Sequence, residues 1–79
     1  MRKVVVPVVV HIDEKGRITP LSLEWEDGTV YQIDRILQVE RAVAQQVGGA
    51  GIRYTVRILG RERYLYHDDL EGNWFVEGR

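Results

Sequence analysis

Six arginines stand between residues 35 and 63, at positions 35, 41, 53, 57, 61 and 63, against two glutamates, Glu40 and Glu62. That middle third has a net charge of +4, while residues 1–34 carry −2 and residues 64–79 carry −3, which together give the chain's −1. A guanidinium grips phosphate or carboxylate through parallel N–H donors and stacks on aromatic planes. Tyr64 and Tyr66 follow the arginines closely. If residues 52–59 and 62–68 are paired strands, Arg53, Arg57, Tyr64 and Tyr66 share one face. Such a face can stack bases on the tyrosines and neutralise phosphates with the arginines, as binders of single-stranded nucleic acid do. The plainer reading is a solvated face on which Arg57 lies over Tyr64 as an ordinary cross-strand cation–π pair. A net charge near zero weighs against nucleic acid, since such domains are usually basic overall.

Other stretches invite chemistry less strongly. Gly48, Gly49 and Gly51, with Ala50 between, could turn backbone amides toward an anion. The run lacks the Gly-Lys-Ser/Thr ending of a phosphate-binding loop and the strand and helix that flank a dinucleotide fingerprint, so a flexible connector is the competing reading. His11 with Asp13, and His67 with Asp68 and Asp69, match no metal-ligand spacing. His67 reads instead as a half-buried histidine. The chain has no cysteine, which excludes disulfides, thiolate ligands and a cysteine nucleophile. Ser22, the only serine, sits outside any Gly-x-Ser-x-Gly frame. Asp34 beside Arg35 reads as an ion pair. The expectation is a non-enzymatic protein with no catalytic residue, metal or cofactor.

The elements that must position these residues are strands. Val4 to Val10, interrupted by Pro7, forms the core of an expected strand over residues 3–12, apolar on both faces and able to pair with a second copy. Pro7 donates no amide and should sit at an edge or bulge. Met1-Arg2-Lys3 before the valines mimics a secretory leader, but no small-residue cleavage site follows and His11 to Glu14 comes at once, so a soluble cytoplasmic protein with no membrane segment is expected. Glu14-Lys15-Gly16 turns the chain, bringing Ile12 opposite Ile18. The apolar parity changes near Thr19-Pro20, which calls for a bend or bulge.

Trp25 to Ile36 is the most informative stretch. Apolar-alternating runs meet at Asp27-Gly28. A two-residue loop would set the apolar faces of the two strands against each other. A three-residue loop, Glu26-Asp27-Gly28, pairs Trp25 with Thr29, Leu23 with Tyr31 and Leu21 with Ile33, and makes one core face. Gly28 would then be left-handed. Residues 34–47 carry apolar groups at helical spacing, yet also alternate. A curved strand to about residue 40, then a short helical turn at 41–46, is expected. Gly60-Arg61 suits a type II′ turn, placing Leu59 opposite Glu62, Arg57 opposite Tyr64, Thr55 opposite Tyr66 and Arg53 opposite Asp68. Trp74 to Glu77 closes as a final strand.

About six strands, tight turns and at most one short helix indicate one mostly-β domain over residues 1–79, a small antiparallel barrel or sandwich of SH3-like type. Surface scaling for a chain of this length gives roughly 4,900 Å² exposed when folded. The runs Trp25 to Ile33, Gly48 to Tyr54 and Trp74 to Glu77 give the chain a resemblance to a group of short, uncharacterised bacterial proteins. That resemblance implies a small β-barrel and no particular activity. The functional expectation is a binding module, for nucleic acid on the Arg53–Arg57–Tyr64–Tyr66 face. The alternative is a protein-interaction or homodimeric assembly domain built on the valine-rich strand.

Overall fold

The computed structural model describes residues 1–44 and 48–78. Among them are eight strands and no helix: β1 (Arg2–Val5), β2 (Val8–Ile12), β3 (Ile18–Glu24), β4 (Val30–Gln32), β5 (Arg35–Val43), β6 (Ala50–Ile58), β7 (Arg61–His67) and β8 (Trp74–Gly78). They form two antiparallel sheets, one ordered β1-β8-β7-β6-β5 and the other β2-β3-β4. The sheets pack as layers and do not close into a barrel. No helix among the described residues is long and apolar enough to cross a membrane.

Eight strands arise where about six were expected because the chain changes sheet twice. Pro7 breaks the valine run, so Val4 and Val5 pair with β8 while Val8 to Val10 pair with β3. The proline's missing amide costs nothing at this junction, and its carbonyl accepts the Glu24 amide at 3.0 Å. The single strand apolar on both faces is therefore absent. Val4 and Val6 are buried, Val5 and Val9 are exposed, and the two exposed valines belong to different sheets. Ile33 and Asp34 carry the chain back to the larger sheet.

The β3–β4 hairpin has the expected loop. Gly28 is left-handed at φ 87°, Leu23 faces Tyr31, and the Trp25 amide bonds the Thr29 carbonyl at 2.8 Å. The parity change in β3 is a bulge at Leu21, between the pairs Val10–Pro20 and Val9–Ser22. Leu21 was expected in the core face, but as the extra residue it turns outward and is 44% exposed. Its carbonyl still takes the Ile33 amide at 2.9 Å.

The same device explains residues 35–43. Arg41 to Val43 continue β5, so the helical turn expected there does not form; Gln45 and Gln46 lie outside the described residues. A bulge at Leu37 separates the pairs Ile36–Val56 and Gln38–Thr55. Ile36 and Val39 thus lie on one face although three residues apart. A bulged strand can reproduce the spacing that reads as a helix period.

Between the sheets lie Val4, Val6, Leu23, Tyr54, Val56, Leu65 and Trp74. A second, smaller cluster of Ala44, Tyr66 and Phe75 sits on the opposite face of the larger sheet. Tyr66 and Phe75 stack there with ring centres 5.0 Å apart, and the Lys3 ammonium stands 4.4 Å above the Phe75 ring.

Candidate functional site

The β6–β7 hairpin turns at Leu59-Gly60, not at Gly60-Arg61. Both residues are left-handed, at φ 50° and 76°, which is the signature of a type I′ turn. Ile58 therefore faces Arg61, Thr55 faces Tyr64 and Arg53 faces Tyr66. The register differs by two residues from the expected one. A shift of two preserves the side-chain parity, so the expected faces survive although every expected partner changes.

Arg53, Arg57, Tyr64 and Tyr66 do share the outer face of the sheet; Arg53 and Tyr66 are engaged internally, whereas Tyr64 is 51% exposed and Arg57 makes no side-chain hydrogen bond or ion pair among the described residues. Arg53 forms an ion pair with Glu40 of the neighbouring strand, and its guanidinium lies 4.3 Å from the Tyr64 ring centre. The hydrogen bond to Glu40, before that to Tyr66, holds Arg53 still more firmly protonated than usual. Tyr66 is 2% exposed, and its hydroxyl donates to Glu77 at 3.0 Å. Burial first, and then the Glu77 contact, raises its pKa. A base has no access to that ring. The cation over Tyr64 is Arg53, where Arg57 was expected.

The glycine run is divided. Gly48 and Gly49 are left-handed in the hairpin end, with the Gly48 amide bound to the Ala44 carbonyl at 2.8 Å and the Gly49 carbonyl accepting the Ala44 amide at 2.9 Å. Gly51 belongs to β6 and is buried against β7, where a Cβ would overlap the His67 carbonyl oxygen. Close strand packing accounts for Gly51, and the three glycines do not make one cradle.

The acidic groups near the histidines serve turns. Asp13 accepts the amides of Lys15 and Arg17, each at 2.9 Å. Asp68 accepts those of Leu70 and Glu71 at 2.9 and 3.1 Å, and these amides lower its pKa. His67 is half-buried and stacks on Trp74 at 4.3 Å between ring centres. Among the described residues no three His, Asp or Glu side chains converge as a metal site. Asp34 accepts the Leu59 amide at 3.2 Å and makes no ion pair with Arg35.

A different site opens at the end of the molecule nearest the Leu59-Gly60 turn. The ladder joining β7 to β8 has only two pairs, Tyr66–Phe75 and His67–Trp74. Beyond them the strands part: β7 stays with β6 down to Arg61, while β8 stays with β1 up to Gly78. The parting leaves an open groove of about 960 Å³. Its apolar lining comes from Leu23 and Tyr31 of the smaller sheet, Trp25 of the loop between them, Met1, Leu59, and Ile58 and Val76 of the larger sheet, and Glu62 and Glu77 line its edge. Trp25 and Tyr31 are half-buried, neither sealed in the core nor free. Arg61 and Arg63 stand on the inward parity of β7, opposite Ile58 and Val56, and line the groove. Arg61 has no side-chain hydrogen bond or ion pair among the described residues, and Arg63 bonds only the Glu62 carbonyl, at 3.0 Å.

Arg61 and Arg63 are two of the six arginines in the basic third, but turn assignment alone did not distinguish them from their neighbours. The available signal was parity. On an otherwise apolar face, Arg61 and Arg63 are the charged pair, which marks where that face leaves the core. No family model, curated protein or solved structure matches the chain.

Proposed function

We propose that the protein is a non-enzymatic binding module whose ligand lies in the groove where β7 and β8 part. The observation that supports this reading is the pairing of two arginines free of ion pairs, Arg61 and Arg63, with two half-buried aromatic rings, Trp25 and Tyr31, on one open concave surface. A concave apolar site with a few convergent polar groups is the usual form of a ligand site. Guanidinium donors beside aromatic faces select an anionic group next to an apolar or planar one.

The test is a chemical-shift titration at low salt against single-stranded oligonucleotides, acidic peptides and nucleotides. The expected result is movement of amides in residues 61–64 and of the Trp25 indole signal for at least one ligand, lost in the double variant Arg61→Glu/Arg63→Glu. Movement confined to the Arg53–Tyr64 face, or none at all, overturns the proposal.

A further inference from the structure

The groove reading leaves open what kind of molecule enters, and the backbone supplies an answer that the side chains alone do not. A strand inside a sheet normally pairs on both sides. From Arg61 to Tyr64, β7 pairs with β6 only, and across the groove Val76 to Gly78 pair with β1 only. Alternate N–H and C=O groups of β7 therefore point into the groove as an unfilled ladder edge. Protein surfaces that expose such an edge beside side-chain pockets take extended peptides as an added strand, with main-chain hydrogen bonds giving affinity and alternate side chains giving selectivity.

Resting on that groove reading, we infer that the partner is an extended acidic peptide segment that adds as a strand along the free edge of β7. The charge pattern specifies it. Residues directly opposite in a ladder share a face. Peptide residues opposite Arg61 and Arg63 thus meet guanidinium groups on the groove side, and the next peptide residue of the same parity, past the free stretch of β7, lies on the side that Trp25 and Tyr31 line. The peptide reads acidic-x-acidic-x-apolar in one chain direction. The intervening residues point to the outer parity, where Glu62 and Glu77 line the groove's edge, so they are neutral or basic. This alternation separates the partner from a polyanion such as nucleic acid, whose charge falls at every unit.

Leu59 supports the same occupant. It is a non-glycine residue in the left-handed region, a conformation that is costly for a side chain, and it is 77% exposed on the groove lip. An exposed leucine held at that cost is an apolar rim without a partner in the free protein.

The experiment uses the full chain and the acetylated peptide Thr-Glu-Thr-Glu-Thr-Phe-Thr, its reversed sequence, and two N-methylated forms that block alternate sets of amides. The expected result is binding by one chain direction, with protection of β7 amides from hydrogen exchange. One N-methylated form should bind at least ten-fold more weakly while the other is little changed. Equal binding by both N-methylated forms overturns strand addition and leaves the groove as a side-chain site. Groove shifts with a single-stranded oligonucleotide but not with either peptide direction overturn the peptide partner and keep the groove. No groove shift with any of these probes overturns both.

Discussion

The two faces of the larger sheet carry the same chemistry and use it in opposite ways. On the outer face, Arg53 meets Glu40, Tyr64 and Tyr66, and Tyr66 stacks on Phe75. On the inner face near the Leu59-Gly60 turn, Arg61 and Arg63 stand beside Trp25 and Tyr31 with no carboxylate bound to either guanidinium. The Arg53 set finds its main partners within the chain, with only the buried Arg53 Nε and the neighbouring Arg57 left without one among the described residues, while the second is open. Arginine interleaved with aromatics is therefore not a binding signal by itself. It becomes one where the local ladder ends and no internal partner arrives.

The sharpest way to break this comparison is to replace Phe75 on the closed side and the arginine pair on the open one. Phe75 is fully buried under Tyr66 and Lys3. Phe75→Ala should cost about 3–5 kcal/mol, from lost transfer energy and the cavity left behind. For a small domain that is a large fraction of total stability. The exposed pair Arg61→Glu/Arg63→Glu should change stability by no more than about 0.5 kcal/mol per site. Urea unfolding followed by Trp fluorescence measures both. If the arginine pair proves as costly as Phe75, the groove is closed in solution and the contrast between the faces fails.

Acid should separate the regions a second way. The pKa of Asp68 is lowered by the amides of Glu71 and Leu70, that of Asp69 by Arg41, and that of Asp27 by the Thr29 amide. Each folded value lies below the unfolded one. Their stabilisation is therefore complete above the unfolded value of about 4 and is lost as pH falls through the depressed folded values. Asp68 and Asp69 close the turn between β7 and β8 on the side where those strands still pair. Hydrogen exchange below pH 4 should rise first in residues 68–73, before the β6–β7 ladder opens. Asp68→Asn should remove part of the acid dependence. An unchanged acid profile in that variant would show that Asp68 is not the group that titrates.

How much of this was legible follows from how local each signal is. The Glu26-Asp27-Gly28 loop and its pairs could be read because one glycine and the apolar parity of adjacent strands decide them. The faces of β6 and β7 were legible although the register was not, since the actual turn displaces the pairing by an even number. The turn itself was not, because leucine is a poor candidate for positive φ. The bulges at Leu21 and Leu37 show in sequence only as broken parity, and the second mimics a helix. Burial of Tyr66 depends on Phe75, Glu77 and Ala44, which the chain brings from other elements. The groove was the least legible feature. It exists because β7 and β8 part after two pairs, and nothing in either strand alone records where pairing stops.

The smallest expected effect tests the open side most directly. Replacing Leu59 by Asn, as Leu59→Asn, creates an Asn-Gly pair at the two left-handed positions, the combination type I′ turns favour. The amide of residue 59 would keep its bond to Asp34, because only the side chain changes. Leu59 is 77% exposed, so little packing is lost. The variant should gain about 1 kcal/mol by relieving the left-handed leucine. A stability gain of that size, read as a higher urea midpoint, would show that leucine is a costly choice for the turn. If the groove takes an apolar residue against this lip, peptide affinity should fall several-fold in the same variant. A gain in stability with unchanged affinity would instead remove Leu59 from the binding surface and leave Trp25 and Tyr31 as its apolar part.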